Sequence, residues 1–327
     1  MPDDETAPDA APASTLGSPE RGVTTAAVND GQAPTGPDRE FTVESRSQSK
    51  MVLRRFLQHR AAVSSGVILL LVILLALLGG RFWKYTYSEF TPDFSAGPSL
   101  EHPMGTDGPG HDNFAQVLRG AQKSVQIALT VALVSTTTGT LIGAFAGYYR
   151  GLLDNILMRF TDLFLVIPPL IFFALLGNKF AGSGWLALAL CLAAISWTSI
   201  ARVVRGVFLS LREKEYVEAA RALGANDRRI IFRHLLPNAI GPIIVNATIT
   251  VAVAILVETS LSYLGLGVQS PDTSLGRLIS DNQQAASTRP WLFYFPGLFI
   301  IIIALTVNFL GDGLRDAFDP TQRRVRA

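Results

Sequence analysis

Six long apolar stretches beyond residue 60 constrain this chain more than any other feature. Each has about 18–24 residues, the length that an α-helix needs to cross roughly 30 Å of hydrocarbon at 1.5 Å per residue. They lie at residues 61–78, 125–148, 156–176, 184–204, 239–261 and 292–310. The sequence therefore predicts an all-α membrane protein with six transmembrane helices.

The composition agrees with a membrane protein and excludes other classes. Apolar residues make up 49% and charged residues only 17% of the 327 residues, whereas soluble chains average about 25% charged residues. The single cysteine, Cys191, excludes an intrachain disulfide. The one Lys-Ser pair, Lys123-Ser124, follows a glutamine, so the chain lacks the phosphate-binding loop that ATP hydrolysis requires.

Polar segments flank the six-span domain at residues 61–320. The first 50 residues hold nine acids and four bases, a net charge of −5, and residues 1–46 have no apolar periodicity, so we expect a disordered acidic tail. Residues 47–60 place apolar and basic side chains around one short helix. This pattern favours either a helix lying on anionic lipid headgroups or charges that only set the topology. Residues 321–327 form a short basic tail.

The distribution of Lys and Arg predicts the orientation of the spans. If the N-terminus is inside the cell, 21 of the 28 Lys and Arg residues lie in internal segments and seven in external ones. The positive-inside rule favours this arrangement. We therefore expect both termini in the cytoplasm, a long external loop at 79–124 and a long, charged internal loop at 202–238.

The internal loop at 202–238 is the most informative segment. A helical face with small residues is predicted from the spacing of Tyr216, Ala219, Ala220 and Leu223. Gly224 follows where a left-handed residue ends such a helix. We predict that Asn226 or Asp227 begins a second short helix, with an apolar face at Ile230, Ile231, Phe232 and Leu235, and that Pro237 starts the next span. Two short helices thus meet at a glycine corner, which fits a docking surface and an amphipathic membrane helix equally well.

The residues of this loop resemble a known family. Glu218-Ala219-Ala220, followed by Gly224 and by Leu236-Pro237, resembles the EAA loop of ABC-importer permease subunits. Other stretches resemble the dipeptide and oligopeptide permeases, closest to the C-type member of the pair; they lie at 102–107, 233–238, 261–268 and 311–320. The resemblance covers about residues 50–320. The chain departs from the pattern at 108–112, at His234 and at Leu275.

The resemblance implies the fold, the partners and the function. Members have a type I importer architecture and form a complex with a homologous second permease, two ATPase subunits and an external solute-binding protein that delivers a peptide. ATP and Mg²⁺ are bound by the ATPase subunits, and the permease itself has no cofactor. The resemblance implies that the ATPase contact lies at Tyr216, Glu218, Ala219, Ala220, Leu223 and Gly224. Related complexes import nickel, glutathione or haem, which remain alternative substrates.

Polar residues within the spans are candidates for a pathway. Asn246, Thr250 and Glu258 leave a weak polar stripe on the fifth span, and Glu258 either lines the pathway or bonds to a neighbouring helix. Asp162 is expected to pair with Arg159. Glycines at 139, 143 and 147 predict close helix packing.

Two other functional classes fit the residues less well than an importer subunit. A secondary transporter would need coupling carboxylates near the membrane midplane, and Glu258 is the only candidate. An intramembrane hydrolase would need a histidine inside a span, and all four histidines lie outside the six stretches. No pair of histidines has metal-ligand spacing, and turn and cap roles are favoured over metal binding for His102, His111, Asp107 and Asp112. The basic residues lie at membrane edges, so we expect contacts with membrane lipid and none with nucleic acid.

The first prediction concerns the acidic tail. Deleting residues 2–44 should leave insertion, assembly and transport nearly unchanged, because this segment cannot form a core and its charge repels anionic headgroups. Neutralising Lys50, Arg54, Arg55 and Arg60 together should instead lower correct insertion. Transport-coupled ATP turnover of full-length and tail-deleted complexes measures the effect. A several-fold change on deletion, at equal complex yield, contradicts the inert-tail hypothesis.

Overall fold

The computed structural model describes residues 48–179 and 183–318, and the regular structure in these ranges is helical. Two isolated β-bridges, Phe90 with His111 and Thr106 with Asp112, are the only extended pairings in this part of the chain. The predicted tails at 1–46 and 321–327 lie outside the described residues. The α-helices are α1 (Gln48–Gln58), α2 (Arg60–Phe82), α3 (Asn113–Tyr149), α4 (Gly151–Val166), α5 (Pro169–Lys179), α6 (Trp185–Leu211), α7 (Glu215–Ala222), α8 (Asp227–Arg229), α9 (Leu236–Tyr263), α10 (Leu275–Asp281) and α11 (Trp291–Phe318).

Among the residues that the structure describes, five helices are long and apolar enough to cross a membrane: α2, α3, α6, the helix Asp227–Tyr263 and α11. The third predicted span, at 156–176, is interrupted at Pro168-Pro169, as expected from the sequence. The chain forms α4 and α5 there, separated by an extended Ile167. Consecutive prolines explain the break, because Pro168 disfavours a helical conformation at Ile167 and neither proline has an N–H to continue the ladder.

The sequence predicted a boundary at Pro237 between the second short helix and the fifth span, and this prediction was wrong. α8, a π-helical turn at Ile230–Leu235 and α9 form one continuous helix from Asp227 to Tyr263. The N–H of Leu236 bonds to the carbonyl oxygen of Ile231, five residues earlier. Since this wider turn lies immediately before Pro237, the helix reaches the proline without a break.

The scaffold depends on close contact between α3 and α6, which run parallel. Gly139 of α3 faces the backbone at Trp197, Gly143 faces Ala201, and Gly147 faces Arg205. A Cβ at Gly139 would lie 2.6 Å from the carbonyl oxygen of Trp197. The predicted packing role of the glycine row is therefore confirmed. The glycines let α3 approach the backbone of α6 closely.

Two buried clusters follow from this packing. One holds apolar residues of α3, α6, α9, α10 and α11, together with Phe173 of α5. The other lies at the opposite end of α3 and α6, where Tyr148 and Phe208 meet Val217 of α7 and three residues of the π turn, Ile230, Ile231 and Leu235. The second cluster fixes the internal loop onto the spans.

We predict that Gly139→Ala destabilises the protein, because the added methyl group meets the α6 backbone. Overpacking of this kind costs roughly 1–3 kcal/mol, so the midpoint of thermal unfolding in detergent should fall. Gly206→Ala is the matched control, since a Cβ there has no heavy atom within 4 Å and alanine favours a helix by about 1 kcal/mol. An unchanged midpoint for Gly139→Ala would contradict the assigned contact.

Candidate functional site

The helix α7 presents a small exposed surface at the end of the helical bundle. Val217 is fully buried in the cluster with Tyr148 and Phe208, and it fixes one side of α7. The opposite side is exposed at Glu218 and Ala219. Leu223 extends this surface with 87% of its area exposed. We call Tyr216, Glu218, Ala219, Leu223 and Gly224 the α7 surface.

One predicted member of this face does not belong to it. Ala220 is only 8% exposed, and its side chain packs against the chain itself. The expectation that Ala220 faces a partner was therefore wrong. Ala220 lies almost one helical turn after Val217. It is on the same buried side, because a spacing of three residues brings two side chains to one face of a helix. The exposed alanine is its neighbour Ala219.

The corner after α7 has the predicted geometry. Gly224 adopts φ +80°, in the left-handed region that favours glycine. The N–H of Ala225 bonds to the carbonyl oxygen of Ala220, so the end of α7 is closed. Asn226 then begins α8, where its side chain accepts a hydrogen bond of 2.9 Å from the N–H of Arg229.

Tyr148 at the end of α3 connects this corner to the spans, which the sequence analysis missed. Its hydroxyl donates a hydrogen bond of 2.6 Å to Asp227. The guanidinium groups of Arg212 and Arg221 each lie 5.8 Å from its ring centroid, and Arg212 also donates to its carbonyl oxygen. No local pattern could have identified Tyr148, because Asp227 is 79 residues away in the sequence.

The three polar residues of α9 do not form one continuous stripe. Asn246 donates to the carbonyl oxygen of Pro242, and Thr250 donates to that of Asn246, so both side chains bond to their own helix. Glu258 is fully buried. Its carboxyl group accepts from Ser124 of α3 at 3.1 Å and from Ser262 at 2.7 Å. In this conformation Glu258 bonds to a neighbouring helix, which is one of the two predicted alternatives.

Ion pairs fix α4 to α6. Asp154 accepts two hydrogen bonds from Arg205, of 2.6 and 2.7 Å, and Asp162 lies 2.6 Å from Arg202. The predicted partner of Asp162, Arg159, was wrong. Arg159 lies on α4 together with Asp162. The partner that Asp162 has in the structure, Arg202, lies on the neighbouring helix α6.

A cleft of about 790 Å³ lies at the other end of the bundle, between the loop before α3 and the segment around α10. Asp107 and Asp272 line it together with Arg277 and Arg289. Asp272 bonds to Arg119 at 2.8 Å and to Lys123 at 2.9 Å. Burial raises the pKa of the Asp272 carboxyl, but the hydrogen bonds from these two bases outweigh burial and lower the pKa below its usual range.

The histidines of this loop have separate carboxylate partners. His102 is buried, and its Nδ1 lies 2.7 Å from Asp112, which also begins α3 by accepting from the N–H of Ala115. His111 Nδ1 lies 2.8 Å from Asp107. The two pairs stabilise the loop, and no group of three or more potential metal ligands comes together in the ranges that the structure describes.

Comparison with known proteins identifies the family. Residues 139–324 match the family described as binding-protein-dependent transport system inner membrane component. Residues 47–103 match the N-terminal TM domain of oligopeptide transport permease C. The oligopeptide transport system permease protein OppC of Mycobacterium bovis is 43% identical over 287 residues, which cover 86% of this chain and 98% of that protein. OppC of Escherichia coli K12 is 38% identical, with coverage of 87% and 95%.

A solved structure has the same fold. It is described as an inward facing conformation of the MetNI methionine ABC transporter, and one of its chains aligns with a TM-score of 0.53 at 20% identity. The alignment covers 62% of this chain and 96% of that chain. The type I importer fold expected from the sequence is therefore confirmed. The chain belongs to the binding-protein-dependent inner membrane components of ABC transporters, as an oligopeptide permease subunit of the C type.

Proposed function

We propose that this chain is the translocation subunit of an ATP-driven importer for peptides. The relatives named oligopeptide transport permease support the substrate class, because two of them match over 86–87% of this chain. In this proposal a solute-binding protein delivers the peptide at the external face, and a homologous second permease completes the pathway. Two ATPase subunits bind ATP and Mg²⁺, and this chain contributes no catalytic residue.

The observation that supports coupling most directly is the α7 surface. It is a short helix that is anchored by Val217 and closed by Gly224, and it exposes Glu218, Ala219 and Leu223. The small side chain of Ala219 on this anchored helix allows another protein surface to approach closely. Since Tyr148 bonds the corner to α3, force applied by an ATPase at α7 would reach the spans without passing through a flexible loop.

The orientation of the chain is part of the proposal. Lys and Arg are concentrated in segments that include 202–238, which supports a cytoplasmic α7 and cytoplasmic termini. The cleft at Asp107 and Asp272 then faces the exterior, where the binding protein docks. The protein would be a multi-pass component of the bacterial cell membrane.

We predict that Ala219→Trp uncouples transport from ATP hydrolysis. The indole would prevent close approach of the ATPase to an exposed position, so peptide import in proteoliposomes should fall by an order of magnitude or more, while ATP hydrolysis no longer responds to the loaded binding protein. Ala219→Ser is the matched control and should retain import. Normal import with normal assembly in Ala219→Trp would refute this contact.

Gly224→Val tests the same surface through the backbone. A β-branched residue at φ +80° is strained by roughly 1–3 kcal/mol, so the corner should change shape and import should fall. Gly206→Val in α6 is a control for a β-branched substitution at an exposed glycine without positive φ. Co-purification of the ATPase with each variant separates loss of assembly from loss of coupling.

Cysteine labelling tests the orientation. After Cys191→Ser, single cysteines at the exposed positions Gly108 and Gln283 should react with a membrane-impermeant maleimide in intact cells. A cysteine at Asn226 should react only after the cells are opened. External labelling at Asn226 would overturn the proposed topology.

A further inference from the structure

At the break between α4 and α5, two consecutive prolines remove the helical partners of two backbone carbonyl groups. In a continuous helix, the carbonyls of Phe164 and Leu165 would accept hydrogen bonds from residues 168 and 169, but both of these are prolines. Ile167 between the helices is extended, with φ −77° and ψ 122°. Within residues 48–179 and 183–318, no other backbone N–H bonds to either oxygen.

The aromatic contacts of Phe164 show how deep the break lies. Its ring packs edge-on against that of Trp197, with the centroids 5.6 Å apart. Trp197 lies near the midpoint of α6, which extends from Trp185 to Leu211. Phe164 and Leu165 also lie close to the midpoint of the apolar stretch at 156–176, so the free carbonyls lie within the hydrocarbon layer.

Lipid cannot satisfy these carbonyls. Irregular backbone at membrane depth occurs only where protein covers it or where it lines a water-filled cavity. The break is open in the isolated chain, with Val166 80% exposed and Ile167 39% exposed. The exposed side of α2 is also aliphatic, at Val67, Ile68, Leu70, Leu71 and Leu74, but the ladder of α2 has no proline and leaves no carbonyl group open. That side suits lipid, and the break suits an interior surface.

We propose that the carbonyl oxygens of Phe164 and Leu165 line the translocation pathway and accept hydrogen bonds from the backbone N–H groups of a passing peptide. This inference rests on the proposed function and specifies how the substrate is recognised. A helix of a second permease has its backbone N–H groups engaged internally, whereas an extended peptide has them free. The neighbouring side chains, Val166, Ile167, Leu170 and Ile171, are all apolar. Recognition would therefore depend on the peptide backbone and not on its side chains.

N-methylated peptides test the proposal in the complete reconstituted complex. Import of a peptide is compared with import of its backbone N-methylated analogue, with both held at equal occupancy of the binding protein. The wild-type complex should import the analogue about five-fold more slowly for each lost hydrogen bond. In the double variant Pro168→Ala/Pro169→Ala, whose new N–H groups can occupy the two carbonyls, the two peptides should be imported at similar rates.

A matched control separates this effect from a general effect of proline. Pro242 also lies inside a helix, α9, and Pro242→Ala should preserve the wild-type preference for the unmethylated peptide. Equal import of both peptides by the wild-type complex would overturn the inference while leaving the proposed function intact. Failure of the wild-type complex to import any peptide would instead refute the proposed function.

Photocrosslinking decides the question even if the double proline variant does not assemble. Benzoylphenylalanine at Ile167 should crosslink to a labelled peptide during ATP turnover, and the same residue at Leu71 on the aliphatic side of α2 should not. Crosslinks from Ile167 to the second permease alone, with or without peptide, would show that protein covers the break and would overturn the inference.

Discussion

The need to pair every backbone N–H and C=O group away from water governs this structure. In hydrocarbon an unpaired backbone group costs several kcal/mol. Within the described residues, five helices are long and apolar enough to cross the membrane, and Pro242 and Pro296 each remove one N–H from such a helix without breaking it. The π turn before Pro237 is irregular yet still bonded, since Leu236 bonds to Ile231. The chain departs from this rule at Ile167, where two consecutive prolines interrupt a ladder near the middle of the membrane. A break in the backbone ladder at that depth is best explained by a role in the translocation pathway.

Helix association follows a second constraint, which is the absence of a hydrophobic driving force between helices in lipid. The glycines of α3 allow the backbone of α6 to approach closely. Two ion pairs, Asp154 with Arg205 and Asp162 with Arg202, then attach α4 to α6. The buried Glu258 joins α9 to α3 through Ser124. Packing of small residues thus forms the scaffold, and a few polar contacts position the remaining helices around it.

The sequence predicted what depends on composition and local pattern. Apolar length identified the long spans, Gly224 was placed correctly because only a left-handed residue closes that corner, and the glycine row of α3 indicated a close contact. Contacts between distant segments were not accessible. Asp162 was paired with Arg159 because sequence spacing relates only residues of the same helix. Ala220 was assigned to the exposed face because the sequence does not show that Val217 packs against Tyr148, and this packing decides which side of α7 is buried. The motif Glu218-Ala219-Ala220 identified the family, but it did not indicate which alanine is exposed.

The length of α3 has a mechanical consequence. This helix has 37 residues, so it is about 55 Å long at 1.5 Å per residue. At one end Tyr148 bonds to Asp227 beside α7; at the other, Asp112 bonds to His102 and to the indole N–H of Trp83 in the loop before the helix. A single stiff rod therefore joins the two faces of the membrane. Rotation of this rod about a point between its ends would displace Tyr148 and Asp112 in opposite directions.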